Sequence, residues 1–179
     1  EGEPLSGETI DIRSADSKIL ARAAYSPFSQ IRARIWSWKA DEVIGPDFLR
    51  KRLEAAVAGR ESLAADPGTN AYRLVHAESD GLPGLVVDRY GDVLVMQCLT
   101  AGAEFWREEF VKFLPVTTGC RTVFERSDVD VRALEGLPPR SGLLTGDGIP
   151  ERVEILENGL KFLVDIKNGH KTGFYLDQR

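Results

Sequence analysis

The stretch 153–166 constrains this chain most. Val153 and Ile155 lead to Asn158-Gly159, and Leu160, Phe162, Val164 and Ile166 then alternate with Lys161, Asp165 and Lys167. That period of two is the signature of a half-buried strand. Asn-Gly suits a two-residue turn, because both residues tolerate positive φ. Residues 153–166 therefore predict a β-hairpin. Beyond it the alternation stops. Asn168-Gly-His-Lys-Thr-Gly173 is polar and flexible at both glycines, and Phe174, Tyr175, Leu176, Asp177, Gln178 and Arg179 follow. This is too polar for a core strand and too aromatic for an idle linker. It reads as a loop that holds something flat and polar. A phosphate-binding loop is excluded, since G-x-x-x-x-G-K-[ST] would need glycine where Asp165 and His170 stand.

Upstream, residues 8–12 and 19–24 read as short strands around Asp16-Ser17. In a strand over 31–38, Ile31, Ala33 and Ile35 would point one way and Arg32, Arg34, Trp36 and Trp38 the other. The first face would join a core. The second carries guanidinium groups that pair with phosphate and indoles that stack on unpaired bases, or else it packs by cation–π contacts. Gly45-Pro46-Asp47 opens a helix with the stripe Leu49, Leu53, Ala56, Val57, running to about residue 65, and Arg50-Lys51-Arg52 reads as its wet face. Residues 66–69, Asp-Pro-Gly-Thr, are the best boundary. Strands follow at 71–77, 85–89 and 93–99. A helix capped by Thr100 buries Ala103, Trp106, Phe110, Phe113 and Leu114 and stops at Pro115, and a strand returns at 122–125. That order predicts α+β architecture, one helix layer on one sheet. Residues 136–150 read as a long loop.

Chemistry-bearing residues are sparse. His76 and His170 are the only histidines, and no clustered Cys/His spacing exists, so no metal site is expected. Glu125-Arg126-Ser127-Asp128 reads as a strand-end knot, with Arg126 ion-paired and a short helix starting at Ser127 or Asp128. Gly146-x-Gly148 precedes Ile149-Pro150 rather than a helix, so it is not a dinucleotide fingerprint. Cys98 lies in an apolar strand, which would hide it and raise its pKa, and Cys120 has no base beside it in sequence. Neither suits a nucleophile. The 179 residues carry 23 basic and 28 acidic side chains, net charge −5. That argues against a uniformly basic nucleic-acid surface but not against a local one. Two cysteines make no disulfide framework, no apolar run approaches the ~20 residues of a membrane span, and a cytoplasmic setting is the default.

The tail DI-x-x-GHKTGFYLDQR, ending at Arg179, resembles the motif that opens the methyltransferase domain of the RlmI-like large-subunit ribosomal RNA cytosine-C5 methyltransferases. The likeness extends to Tyr25-Ser-Pro-Phe-Ser-Gln-Ile-Arg-Ala-Arg34, to the run from Tyr72 to Arg89, and to Glu125-Arg-Ser-Asp128 with Arg132 and Glu135-Gly136. The resemblance implies a partial PUA-like RNA-binding β-barrel over 1–42, a helical linker over 43–69, a central sheet-plus-helix (EEHEE-like) domain over 70–145, and a hairpin with the start of the methyltransferase domain over 146–179. It implies S-adenosylmethionine as cofactor of the full-length protein, against Lys171, Thr172, Gly173, Phe174, Tyr175, Asp177, Gln178 and Arg179, and it favours RNA for Arg32, Arg34, Trp36 and Trp38. It places the reactive cysteine and the glycine-rich cofactor loop outside these residues, so no catalytic residue is expected here and the piece alone should be inactive. Ribosomal RNA is the implied partner, with neither membrane nor metal, and a homodimer stays open. A stand-alone RNA-binding or scaffold module, or methylation of another base, are the competing readings.

Overall fold

The computed structural model describes residues 2–177. Three short strands begin it: β1 (Thr9–Arg13), β2 (Ile19–Tyr25) and β3 (Ala33–Ser37) pair antiparallel in that order. The helix α1 (Pro46–Ala58) follows, and the one-turn α2 (Glu61–Ala64) lies beyond Gly59. The single helix expected to residue 65 is therefore two. Gly59 caps α1, where backbone freedom makes continuation costly.

A five-stranded sheet forms the centre. β4 (Ala71–His76), β5 (Leu85–Tyr90), β6 (Val93–Cys98), β7 (Thr122–Ser127) and β8 (Arg140–Thr145) lie in chain order. Only β6 and β7 are parallel. Parallel neighbours need a long crossover, which α3 (Ala101–Phe105) and α4 (Arg107–Thr118) supply. Two expectations fail here. The loop expected over 136–150 contains β8, an edge strand held by backbone pairing to β7, whose Arg140-Ser141-Gly142 start hides any alternation. Pro115 lies inside α4 rather than ending it. It sits in the last turns, so only one helical hydrogen bond lacks its donor, and Thr118 Oγ1 donates to the Leu114 carbonyl at 2.7 Å.

Alternation along the strands sorts their side chains onto two covered faces. Leu74, Leu85, Val87, Leu94, Met96, Cys98 and Val123 meet α1 and α4 through Phe48, Leu49, Leu53, Phe110 and Leu114. The segment expected as a linker thus contributes Leu49 and Leu53 to the central core. The opposite face carries Ala71, Tyr90, Val95 and Phe124, and is covered by Val153, Ile155, Val164, Ile166 and Leu176. The expectation of one helix layer on one sheet therefore describes only half of the sandwich.

That second cover is the hairpin of β9 (Val153–Glu157) and β10 (Leu160–Val164). Asn158 and Gly159 take φ +50° and +79°, as the two-residue turn requires. Val164 and Ile166 turn inward as the alternation predicts, whereas Leu160 at the tip is exposed. Among the described residues no helix is long and apolar enough to cross a membrane.

Candidate functional site

The polar tail is built on the hairpin face of the sheet. After β10, the Asp165 carboxylate accepts the Asn168 backbone N–H at 2.9 Å and its Nδ2 at 3.2 Å. These donors, the Asn168 backbone first, hold the Asp165 carboxyl below its usual range. Gly169 N donates to the Asp165 carbonyl at 2.9 Å. A Cβ on Gly169 would lie 2.4 Å from the Asp165 carbonyl oxygen and 2.5 Å from that of Gly173, so only glycine fits this turn. The Arg126 guanidinium, on β7, reaches across to donate to the carbonyls of Ile166 (2.6 Å) and Gly169 (3.3 Å), and to Asp128 Oδ1 at 3.0 Å. Arg126 is ion-paired as expected, and it also clamps the tail. The short helix expected from Ser127 or Asp128 is a 3-10 turn that starts later, at Asp130.

Thr172 anchors the loop. Its hydroxyl donates to Asp88 Oδ2 at 2.6 Å, which leaves its oxygen to accept from the Tyr90 hydroxyl at 2.8 Å. Tyr90 in turn accepts from the Phe174 N–H at 3.0 Å. Arg73 closes the chain from β4, donating through Nε and Nη2 to both Asp88 oxygens at 2.8 and 3.0 Å. Asp88 and Thr172 are fully buried. Burial, with the Asp88 charge beside it, pushes the Tyr90 phenol well above its normal range. Tyr90 therefore keeps its proton and its donor role. Sequence reasoning did not single out Arg73, Asp88 or Tyr90. The signals were a carboxylate directly after the apolar run Leu85-Val86-Val87 and the place of Arg73 and Asp88 in the run from Tyr72 to Arg89 that carries the family likeness, and the Thr172 partner of Asp88 lies 84 residues away.

Of the residues expected at a cofactor, the structure splits the set. Thr172 is spent inside the protein. Phe174 is half-buried, its ring 5.2 Å from that of Phe162, and Leu176 beside it is buried. His170, Lys171 and Tyr175 remain exposed, with Tyr175 at 44%. Lys171 Nζ lies 4.7 Å from the centre of the Tyr175 ring and donates to Asp177 at 2.6–2.7 Å. That ammonium is the main reason the Asp177 carboxyl lies low. The open edge is thus the Tyr175 ring, which already carries the Lys171 ammonium, beside Asp177, which pairs with Lys171 and, at 3.8 Å, with Arg73. Such a ring suits a flat group or a cation and is presented by a backbone fixed from below. Gly173 lies between anchor and edge at φ +132°. Gln178 and Arg179 lie outside the described residues.

The face expected over 31–38 is not assembled. Trp36 is 3% exposed and belongs to the helix-side core, packed on Ala24 and Gly102, whereas Trp38 is 74% exposed. Arg34 Nη2 donates to Glu135 Oε1 at 3.1 Å. Arg32 folds back onto the Pro27 carbonyl (2.6 Å) and the Tyr25 hydroxyl (2.9 Å). Ile31, expected in the core, is exposed. The alternation fails because β2 and β3 slip register between Arg22 and Ala23, and because a buried carboxylate claims one guanidinium. Glu135 also accepts from Ser26 Oγ at 2.9 Å and from the Ala101 N–H at 3.1 Å. Burial would raise its pKa, but the donors Ser29, Ala101, Ser26 and Arg34 outweigh it and hold it below the ordinary value.

Both cysteines are buried. Burial pushes both thiols up, with Glu125 and Glu104 adding to it at Cys98. Neither is a poised thiolate. Among the described residues no group of His, Cys, Asp and Glu is arranged to hold a metal ion.

No protein-family model matches the chain. Ribosomal RNA large subunit methyltransferase I of Shewanella amazonensis is 50% identical over 179 residues, and that of Yersinia pseudotuberculosis 52%. Over its whole length the chain resembles ribosomal RNA large subunit methyltransferase I. It spans less than half of those relatives, 45% of each. A solved structure from Streptococcus mutans, described as a candidate SAM-dependent methyltransferase, superposes on 99% of the chain and 45% of its own, with TM-score 0.82 and 25% identity. A second structure, a candidate methyltransferase complexed with SAH, shares the fold at TM-score 0.82 and 24% identity over 97% of this chain and 43% of its own.

Proposed function

We propose that these residues are the N-terminal and central part of an S-adenosylmethionine-dependent methyltransferase acting on large-subunit ribosomal RNA, with cytosine C5 as the target atom. The carrying observation is identity of 50% or more with the rRNA methyltransferases along the entire chain. In this reading β1–β3 belong to a PUA-like RNA-docking barrel, residues 43–69 connect it to the central domain over 70–145, and the hairpin and tail over 146–179 open the methyl-transfer domain.

C5 methylation needs a thiolate to add at C6 and a base to remove the C5 proton. Cys98 and Cys120 are buried and protonated, so the chain's role is support. The tail forms one wall of the cofactor site. Tyr175 offers its ring to the adenine or the sulfonium, and Lys171 and Asp177 offer charge to the polar groups. Thr172, Gly173 and Phe174 serve the site through the backbone they fix, and Gln178 and Arg179 complete the motif. S-adenosylmethionine supplies the methyl group when bound.

The test is methyl transfer from labelled cofactor to large-subunit rRNA, by the 179-residue chain and by the corresponding full-length protein. The full-length protein should turn over and the chain alone should not. Turnover by the chain alone would overturn this assignment of roles. Changing Tyr175 to Ala in the full-length protein should raise the KM for cofactor roughly tenfold, the order of one lost cation–π or stacking contact.

A further inference from the structure

A cleft of about 590 Å³ opens between the end of β3, the middle of α1 and the turn at 77–81. Its inner wall is apolar, formed by Ile35, Trp36 and Ala56. Trp38 stands at its rim, 74% exposed, with no ring or cation contact among the described residues. The turn that carries it is ordered from within. Lys39 N donates to Ser37 Oγ at 3.1 Å, Ser37 Oγ donates to Glu42, and Glu42 N donates to the Lys39 carbonyl at 3.2 Å. An indole held outward on a fixed turn forgoes the burial that a large aromatic normally gains.

Arg52 forms the other side. Its guanidinium lies 5.0 Å from the centre of the Phe48 ring, and Nη2 is 4.0 Å from Glu42. Gly81 takes φ +67°, and a Cβ there would meet Arg52 Nη1 at 3.1 Å, so the bare glycine keeps the guanidinium's path open. The charges of the cleft are taken up around it: Asp80 accepts from Arg60 at 2.6 and 2.9 Å, Glu78 faces Arg34 at 3.7 Å, and Arg52 faces Glu42 at 4.0 Å. That balance suits an uncharged planar group with donors and acceptors on its edge better than a phosphate.

We infer that this cleft seats one unpaired nucleobase of single-stranded RNA, stacked on Trp38 with its edge toward Arg52 and Glu78. The inference rests on the reading that the chain docks RNA, and it moves the contact from the strand face to this cleft. Base–aromatic stacking tolerates any base, because every base has a π-face.

The experiment titrates a labelled single-stranded RNA of mixed sequence, and a duplex of equal length, against the 179-residue chain and its variants by fluorescence anisotropy. Trp38→Ala should weaken single-strand binding roughly five- to hundredfold, the range that losing one base–aromatic stack gives. Trp38→Phe, which keeps a ring, should restore most of it. Duplex binding and the salt slope should stay unchanged, because no phosphate contact is removed. Arg52→Gln should give a smaller loss confined to the single strand. Circular dichroism checks that the variants fold, as expected for a side chain outside the core. If the unaltered chain binds single strands and Trp38→Ala binds them equally well, the base seat is wrong while RNA docking stands. If Trp38→Ala weakens duplex and single strand alike, the seat is again overturned. If the unaltered chain binds neither RNA, the docking reading fails and the inference with it.

Discussion

Residues 31–38 and 168–177 both interleave aromatic rings with cations, yet the fold uses them differently. In the first stretch Trp36 is drawn into the core, Arg34 is taken by the buried Glu135, Arg32 folds back onto the Pro27 carbonyl and the Tyr25 hydroxyl, and of the two indoles Trp38 alone stays open. In the second, Thr172 and Leu176 are drawn in while His170, Lys171 and Tyr175 stay out together. A register slip between β2 and β3 breaks the pattern of the first. The second has no strand pattern to break. Its order comes from side chains beneath it, with Asp88 gripping Thr172 and Arg126 gripping the carbonyls of Ile166 and Gly169. An anchored loop can keep a row of side chains on display, and a strand that shares its core with a helix layer cannot.

The largest expected effect breaks the first stretch. Trp36→Ala should cost about 4 kcal/mol in denaturant unfolding, as a buried indole leaves a cavity beside Gly102 and Ala24. Asp88→Ala tests the second. It strands Arg73 and Thr172 without their acceptor and should cost about 3 kcal/mol, with faster hydrogen exchange at Phe174 N. If that exchange does not change, the anchor is not what orders the loop. Arg126→Ala should be milder, about 2 kcal/mol, with loosening confined to residues 166–174.

The Glu135 contact should appear as pH dependence. Its folded pKa lies below the ordinary 4.5. Its stabilisation is therefore complete above the unfolded value and is lost as pH falls through the folded one. Glu135→Gln should flatten the stability curve below about pH 4.5, and a curve parallel to that of the unaltered chain would remove Glu135 as the acid-sensitive tie. Trp38→Ala should do least to stability, within about 0.5 kcal/mol, because the side chain is outside the core. The contrast with Trp36→Ala, two residues away, is the sharpest measure of how unevenly this stretch is treated.

Much of the frame was legible in advance. The hairpin, the central strands up to β7 and the start of α1 follow from alternation, turn residues and helix punctuation. β8 was not legible, because an edge strand held by backbone bonds carries little side-chain pattern. The break at Trp106 that separates α3 from α4 was also hidden, since helical periodicity runs through it. At the candidate site, the residue types of the tail marked it as a holder of something flat. Which of them hold and which are held was invisible, because Asp88 and Tyr90 read as ordinary strand residues.

The sequence by itself determined the conformations that depend on neighbours along the chain. Asn158-Gly159 turns because those two residues accept positive φ, and Gly169 bends because no Cβ fits between the Asp165 and Gly173 carbonyls. Tertiary structure alone decided the charge partners. Asp88 meets Thr172 across 84 residues, and Glu135 meets Arg34 across 101. A dihedral preference belongs to a residue and its neighbours, whereas a buried carboxylate takes whichever donors the packed layers bring within reach.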